Sequence, residues 1–120
     1  MLAATAPTHA TGTIVCEGVN DPGVTAFVSV GRVPVLAVLR AEFTALGMVW
    51  STFSEDATPI IFGQGVDLAD GLRIDFTNED ISEIVVTLRT VRAFEGKAGG
   101  EAGVLQIVGT GAWPVVCEQG

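Results

Sequence analysis

Residues 24–30 read Val-Thr-Ala-Phe-Val-Ser-Val, and this stretch decides the fold class. Small apolar residues occupy every second position, and the positions between them carry two hydroxyl side chains and one phenylalanine. A period of two is typical of a β-strand with one buried face. The preceding residues 20–23, Asn-Asp-Pro-Gly, favour a tight turn. The sequence therefore predicts a strand that is entered through a turn.

Similar patterns recur along the chain. Residues 72–77, Leu-Arg-Ile-Asp-Phe-Thr, alternate apolar and polar side chains without interruption. The 15 glycines are spread through the chain and suit many turns between short strands, and residues 96–103 predict a glycine-rich hairpin loop. Other short apolar stretches predict strands at residues 13–16, 35–40, 42–52, 60–64, 104–108 and 112–117. The pair 35–40 and 42–52 forms either two strands or one bent strand, and the last two stretches form one strand or a pair.

One segment carries both helical and strand signals. Residues 77–80, Thr-Asn-Glu-Asp, resemble a helix start with a capping box, and apolar residues then recur at helical spacing. β-Branched residues dominate from Ile84 onward, which favours a strand. We predict a short helix over residues 79–84 and then a strand to about Glu95, and the alternative is one amphipathic helix to Phe94. The predicted fold is mainly β, an antiparallel barrel or sandwich of about seven or eight short strands with at most one short helix.

Length and charge exclude several classes of partner. The chain has 120 residues, which predicts a single domain, and 48% of them are hydrophobic, which is too many for a disordered chain. Six basic residues against 14 acidic ones give a net charge of −8. Nucleic acids and anionic membrane surfaces attract clustered positive charge, so we expect neither as a partner. No apolar stretch approaches the ~20 residues of a membrane-spanning helix.

Residues 1–10, Met-Leu-Ala-Ala-Thr-Ala-Pro-Thr-His-Ala, differ from the rest of the chain. They are small and weakly apolar, and they end in a small-x-small pattern like that of a signal-peptidase site. We interpret them as the remnant of a secretion signal outside the fold, with residues 11–120 as the single β domain. The alternative is an Ala-rich arm of a cytosolic protein.

The two cysteines support export. Cys16 lies near the start of the proposed mature chain, and Cys117 lies three residues from the end of the sequence. Both occur in the same local sequence, Val-Cys-Glu, at mirrored positions in the chain. An even number of cysteines in a small exported domain usually means disulfides. We predict a Cys16–Cys117 disulfide and a periplasmic or extracellular location, and the alternative is two unrelated buried thiols.

Few residues could support catalysis. His9, the only histidine, lies in the proposed signal remnant, the chain has no tyrosine, and Lys97 is its only lysine. Two isolated cysteines cannot complete a zinc site, and residues 67–71 do not match the EF-hand spacing. We expect no enzyme, no cofactor and no metal site.

Carboxylate pairs are the one catalytic alternative, as in glycoside hydrolysis. The densest acidic cluster comprises Asp67, Asp70, Asp75, Glu79, Asp80 and Glu83. Solvated loops and a helix start explain these residues equally well, since acids are favoured there. We therefore predict no catalytic residue among them.

A contact surface is predicted in residues 46–53, Leu-Gly-Met-Val-Trp-Ser-Thr-Phe. This segment combines a flexible glycine with large apolar side chains, which are typical of binding surfaces when exposed. The candidate partner-binding residues are Gly47, Met48, Trp50 and Phe53. The alternative for Trp50, as for Trp113, is packing in the core.

The layout of the chain resembles that of the periplasmic and membrane-bound C-type lysozyme inhibitors, which are small disulfide-closed β-barrels of the bacterial envelope. The resemblance lies in the two terminal cysteines, the β-rich body and the secretion signal more than in particular residues. That family inserts a Ser-Gly-x-x-Tyr loop into the lysozyme active site. The closest stretch here is 46–50, Leu-Gly-Met-Val-Trp, in which Gly47 matches, Trp50 stands for the aromatic residue and Leu46 replaces the serine.

These observations lead to one preferred function and two alternatives. We expect an exported, non-enzymatic binding or interaction protein of the bacterial envelope, with another protein as the partner. The alternatives are a structural envelope subunit that forms homo-oligomers through apolar strand faces, and a protein similar to the lysozyme inhibitors. The oligomeric state discriminates between binding and self-assembly.

Overall fold

The computed structural model describes residues 11–31 and 36–120, so the proposed signal remnant lies outside the described residues. The described part of the chain contains ten strands and no helix, hence no helix long and apolar enough to cross a membrane. The strands are β1 (Thr11–Gly18), β2 (Asp21–Gly31), β3 (Ala37–Ala45), β4 (Met48–Ser51), β5 (Thr58–Pro59), β6 (Ile61–Leu68), β7 (Gly71–Thr77), β8 (Ile84–Glu95), β9 (Ala98–Ile107) and β10 (Gly111–Gln119).

All ten strands belong to one sheet, in the order β5-β4-β3-β2-β1-β10-β9-β8-β7-β6. The two outermost strands, β5 and β6, are joined by the single buried residue Ile60, so the sheet curls into a nearly closed barrel. Every pairing is antiparallel except that of β4 with β5, which is parallel. The predicted β architecture is therefore confirmed, and the strand number and the purely antiparallel pairing were wrong. Residues 42–52 divide at a tight turn, and β5 is too short to leave a signal in the sequence.

The core lies inside the curled sheet. Buried residues alternate with less buried ones along most of β2 and in parts of β3, β8, β9 and β10, as the period of two predicts. Phe43 on β3 and Phe76 on β7 lie far apart in the strand order, yet their ring centroids are 5.1 Å apart in an edge-to-face contact. Phe62 also packs against Phe76, with ring centroids 6.0 Å apart. Aromatic side chains thus fill the centre of the barrel.

The predicted helix over residues 79–84 is wrong. Residues 78–83 form a loop between β7 and β8, in which the Asn78 side-chain oxygen accepts hydrogen bonds from the backbone N–H groups of Ser82 at 2.9 Å and Glu83 at 3.3 Å. Ile81 adopts a φ of 57°, which no right-handed helix contains. The Asn78 side chain therefore stabilises a local turn, and no helix begins here. The alternative of one long helix is also wrong, since β8 occupies its place.

The disulfide between Cys16 and Cys117 is confirmed. The two residues lie directly opposite each other in the β1–β10 pair, with Cα atoms 4.0 Å apart, and both side chains are buried. The bond joins residues 101 positions apart in the sequence. It therefore fastens the first described strand to the last one in the middle of the sheet.

Candidate functional site

The predicted contact segment contains the turn of the β3–β4 hairpin. Leu46 and Gly47 form this two-residue turn, with φ angles of 54° and 74°. Positive φ at both positions is typical of the type I′ turn, which suits the right-handed twist of paired strands. Glycine adopts this conformation without cost, whereas leucine rarely does. The turn projects Leu46 into solvent with 65% of its surface exposed.

The other predicted contact residues do not form one surface. Trp50 lies opposite Phe43 in the β3–β4 pair and is only 6% exposed, so it belongs to the core. Met48 and Phe53 are each 44% exposed, but Met48 begins β4 and Phe53 lies two residues beyond its end. The Arg40 guanidinium lies over the Phe53 ring, 4.1 Å from its centroid, in a cation–π contact. The segment therefore offers a hairpin tip and a separate aromatic ring.

The acidic cluster in the sequence is dispersed by the fold. Asp67 lies near the β6–β7 turn at one end of the barrel, whereas Asp75 lies in the middle of β7 on its outer side. Glu79, Asp80 and Glu83 belong to the β7–β8 loop at the other end. The described residues include no group of three or more His, Cys, Asp and Glu side chains that could hold a metal ion.

A polar cluster closes one end of the barrel. The register of β8 and β9 places Arg92 directly opposite Glu101. The Arg92 guanidinium lies 3.0 Å from the Glu101 carboxylate and 2.8 Å from the Asp67 carboxylate, and it donates a hydrogen bond of 2.7 Å to the Leu68 carbonyl oxygen. All three charged side chains are nearly buried, with exposures of 12%, 4% and 11% respectively. One cation thus sits between two carboxylates.

Glu101 receives further hydrogen bonds. Its carboxylate accepts one from the Gln119 side-chain amide at 2.8 Å and one from the Thr90 hydroxyl, whose oxygen accepts the Leu72 N–H at 3.0 Å. Burial raises the pKa of Glu101, but the hydrogen bonds from Arg92, Thr90 and Gln119 outweigh it, and the pKa lies below the ordinary value.

The Arg92 pKa moves in the opposite direction. Burial lowers it, but the hydrogen bonds and charges of Glu101 and Asp67 outweigh burial and raise it above the ordinary value. A group can transfer protons efficiently only if its pKa lies near the working pH. Arg92 and Glu101 therefore form a fixed ion pair at neutral pH. Their geometry suits closing the barrel end and does not suit acid–base chemistry.

A second ion pair lies on the outer side of β7 and β8. An Asp75 carboxylate oxygen lies 2.7 Å from Arg89, and its other oxygen accepts a hydrogen bond of 2.7 Å from Gln64. Arg73 lies directly opposite Arg89 and is exposed. Two guanidinium groups thus lie beside one carboxylate on this part of the outer surface.

An exposed apolar surface on the outside of the barrel was missed in the sequence. Each of its members lies in one of four adjacent strands, β1, β10, β9 and β8, between inward-facing neighbours. Val91 is 70% exposed and Val116 is 53% exposed. We call this surface the valine face, and it comprises Val15, Val91, Ala102, Val104, Pro114 and Val116.

Strand register places five of the six members of the valine face in two adjacent rows, whereas Val15 lies opposite Glu118. Val116 lies opposite Ala102, and Ala102 lies opposite Val91, so one row crosses three strands. Pro114 lies opposite Val104 in the next row. One sequence pattern indicates this outer apolar surface. In residues 104–108 and in β8, apolar residues occupy both odd and even positions, so some of them must face outward.

Comparison with protein-family models, with curated proteins and with solved structures finds no match to this chain.

Proposed function

We propose that this chain is an exported, non-enzymatic interaction protein of the bacterial envelope, which contacts its partner through the valine face. The observation that carries the proposal is the continuous set of exposed apolar side chains on adjacent strands. Contiguous apolar patches larger than a few hundred Å² are rare on monomers and typically mark interaction sites. The four valines of this face are between 44% and 70% exposed.

The polar groups support a non-enzymatic role. Asp67 and Glu101 are ion-paired with Arg92, and Asp75 is ion-paired with Arg89. These carboxylates therefore stabilise the barrel through ion pairs. A general base would need a carboxylate that faces a substrate. The only histidine precedes the described residues.

The disulfide supports export. Disulfides form and persist in oxidising compartments such as the periplasm, and they are rare in the cytosol. Cys16 and Cys117 are both committed to the bond, which joins the strands at the middle of the sheet. An exported protein can rely on such a bond throughout its lifetime.

The valine face is a better contact surface than residues 46–53. Interface cores are formed by apolar side chains that are adjacent to one another, since neighbouring groups exclude water together. The valine face meets this requirement through strand register. Met48 begins β4, Phe53 lies two residues beyond the end of that strand, and Trp50 is buried.

Native sedimentation of envelope extracts tests the proposal. The 12.4 kDa chain should migrate in a complex larger than its own mass. Val104→Glu places a charge in the valine face and should shift the chain to its free mass. Val108→Glu is the matched control, because Val108 has a similar exposure of 48% and lies outside the face. Migration of the unmodified chain at its free mass would contradict the proposal.

A narrower function is favoured by the exposed hairpin tip. The resemblance to the lysozyme inhibitors predicts that residues 46–50 enter a lysozyme active site, and Leu46 and Gly47 do project from the barrel. Trp50, the proposed aromatic equivalent, is directed into the core and leaves the tip without an aromatic ring. Assay of a C-type lysozyme with excess protein tests this function, and undiminished lysozyme activity would reject it.

A further inference from the structure

We propose that the barrel end beside Arg92 binds a neutral sugar in an open groove. The groove has a volume of about 530 Å³. Sites for small molecules typically measure about 300–1,000 Å³. None of the residues that line the groove belongs to the valine face, so this site is separate from the proposed contact surface. Its lining includes Arg92, Phe94, Gly99, Gly100, Glu101 and Gln119.

One wall of the groove is the tip of the β8–β9 hairpin, which extends past its neighbours. Strand β8 continues to Glu95, but its pairing with β7 ends at Arg89. The pairing of β9 with β10 ends at Glu101. Residues 93–100 therefore lie beyond both neighbouring strands, and all of them are exposed.

Phe94 provides an aromatic ring on this wall. It lies on the same side of β8 as the buried Leu88, because the two are an even number of residues apart in a regular strand, yet Phe94 is 66% exposed. Phe94 is directly opposite Gly99, where a Cβ atom would overlap the Phe94 ring. Glycine therefore lets the ring lie close against β9, at the edge of the groove.

The polar groups beside the groove retain hydrogen-bonding capacity. The Arg92 Nε–H is buried and has no acceptor among the described residues. One Glu101 oxygen accepts a single hydrogen bond within the described part of the chain, from Gln119, whereas a carboxylate oxygen can accept two. A ligand hydroxyl both donates and accepts, so it suits this pair of groups.

The charges at the groove favour a neutral ligand. Arg92 pairs with both Glu101 and Asp67. An ionic ligand group would compete with these nearly buried pairs, and a buried pair is costly to separate. Glu118, the remaining charged residue of the lining, is exposed to solvent. A neutral ligand leaves the ion pairs intact.

A pyranose sugar combines the required properties. One face of its ring presents C–H groups that pack on an aromatic side chain, and its edges carry hydroxyl groups. Phe94 and Arg92 lie two residues apart on the same side of β8, opposite Gly99 and Glu101 respectively. The hairpin can therefore contact the face of one sugar through Phe94 and its edge through the Arg92–Glu101 pair.

NMR titration of the disulfide-bonded full chain tests the inference. The probes are maltotriose, cellotriose and the trimer of N-acetylglucosamine, each added separately. At least one of them should cause saturable shifts of the backbone amides of Phe94, Gly99, Gly100 and Gln119, and the amides of the valine face should not move. No saturable shift with any probe, or shifts confined to residues away from the groove, would overturn the proposal.

Replacement of the aromatic ring tests its role. Phe94→Ala should weaken sugar binding at least about tenfold, because it removes the surface on which the sugar packs. Phe94→Trp keeps an aromatic ring and should preserve binding. Phe53→Ala is the matched control, because Phe53 is also exposed but does not line the groove. Equal affinities of the Phe94→Ala and Phe53→Ala variants would overturn the role of Phe94.

The valine face provides a test of independence. Val104→Glu should leave the affinity for the sugar unchanged, since Val104 does not line the groove. If no sugar binds but Val104→Glu still dissolves a complex in envelope extracts, the groove proposal alone is wrong. If sugar binds and no such complex exists, the groove proposal holds and the proposed function of the valine face is wrong.

Discussion

Arg92 shows how one residue can reverse an interpretation made from sequence. The acidic residues between 67 and 83 predict solvated loops and a helix start, where acids are favoured. The β8–β9 register instead places Arg92 opposite Glu101 and beside Asp67, with all three side chains nearly buried. Register depends on the whole sheet, so the sequence could not reveal this cluster.

Replacement of Arg92 should be costly. Arg92→Met removes the cation and leaves the Glu101 and Asp67 carboxylates without their counter-charge in a nearly buried site. Removing one partner from a buried ion pair typically costs about 3–5 kcal/mol of the free energy of unfolding. Urea denaturation measures this loss. Arg40→Met, at the surface over Phe53, is the control and should cost less than about 1 kcal/mol.

Acid should destabilise the protein partly through Glu101. Its pKa in the folded state is lowered, so the unfolded chain binds a proton at a higher pH than the folded chain does. The stabilisation is fully present above the ordinary glutamate pKa of about 4.3 and is lost as the pH falls through the lowered pKa. Denaturation at a series of pH values should show that the free energy of unfolding of Glu101→Gln falls less steeply with acid than that of the unmodified protein. Identical pH profiles would contradict this role.

At the scale of elements, the β3–β4 hairpin makes a prediction about stability. Leu46 adopts a φ of 54° at the first position of a turn that prefers Asn-Gly. Leu46→Asn should raise the free energy of unfolding by about 1 kcal/mol, because it removes the strain and an exposed apolar side chain. Thermal melting measures the gain. A lower melting temperature would show that Leu46 makes a stabilising contact.

Strands could be predicted from the alternation of apolar and polar residues where a strand has one buried face. Residues 24–30 and 72–77 lie within β2 and β7, as their period of two predicts. The loop predicted over residues 96–103 is mostly strand, since β9 begins at Ala98. A Cβ atom on Gly103 would overlap the Arg89 carbonyl oxygen, so glycine here permits close approach of β8. Glycine content alone does not distinguish a turn from such an approach.

At the scale of the whole molecule, the disulfide holds the middle of the sheet. Replacing Cys16 and Cys117 with alanine should lower the free energy of unfolding by about 2–5 kcal/mol, since the unfolded chain loses its cross-link. Urea denaturation of the oxidised protein and the double variant gives this difference. The same double variant under reducing and non-reducing conditions is the control and should be unaffected. Equal stability of the oxidised protein and the variant would contradict the account.

The disulfide could be predicted from the sequence, but the valine face could not. The mirrored positions of the two cysteines indicated their pairing without knowledge of strand order. The outward valines belong to β1, β8, β9 and β10, and they become neighbours only because the sheet places the first described strand beside the last. Residues 46–53 looked like the better surface because Trp50 could not be assigned to the core from sequence.

Site-specific photo-crosslinking in the cells that produce the protein shows most directly whether it binds a partner through the valine face. A photo-reactive residue is placed at Val104 in one variant and at Phe53 in another, two positions that are each 44% exposed. We expect a covalent adduct from position 104 and none from position 53. An adduct from position 53 alone would show that the contact surface is residues 46–53 and not the valine face.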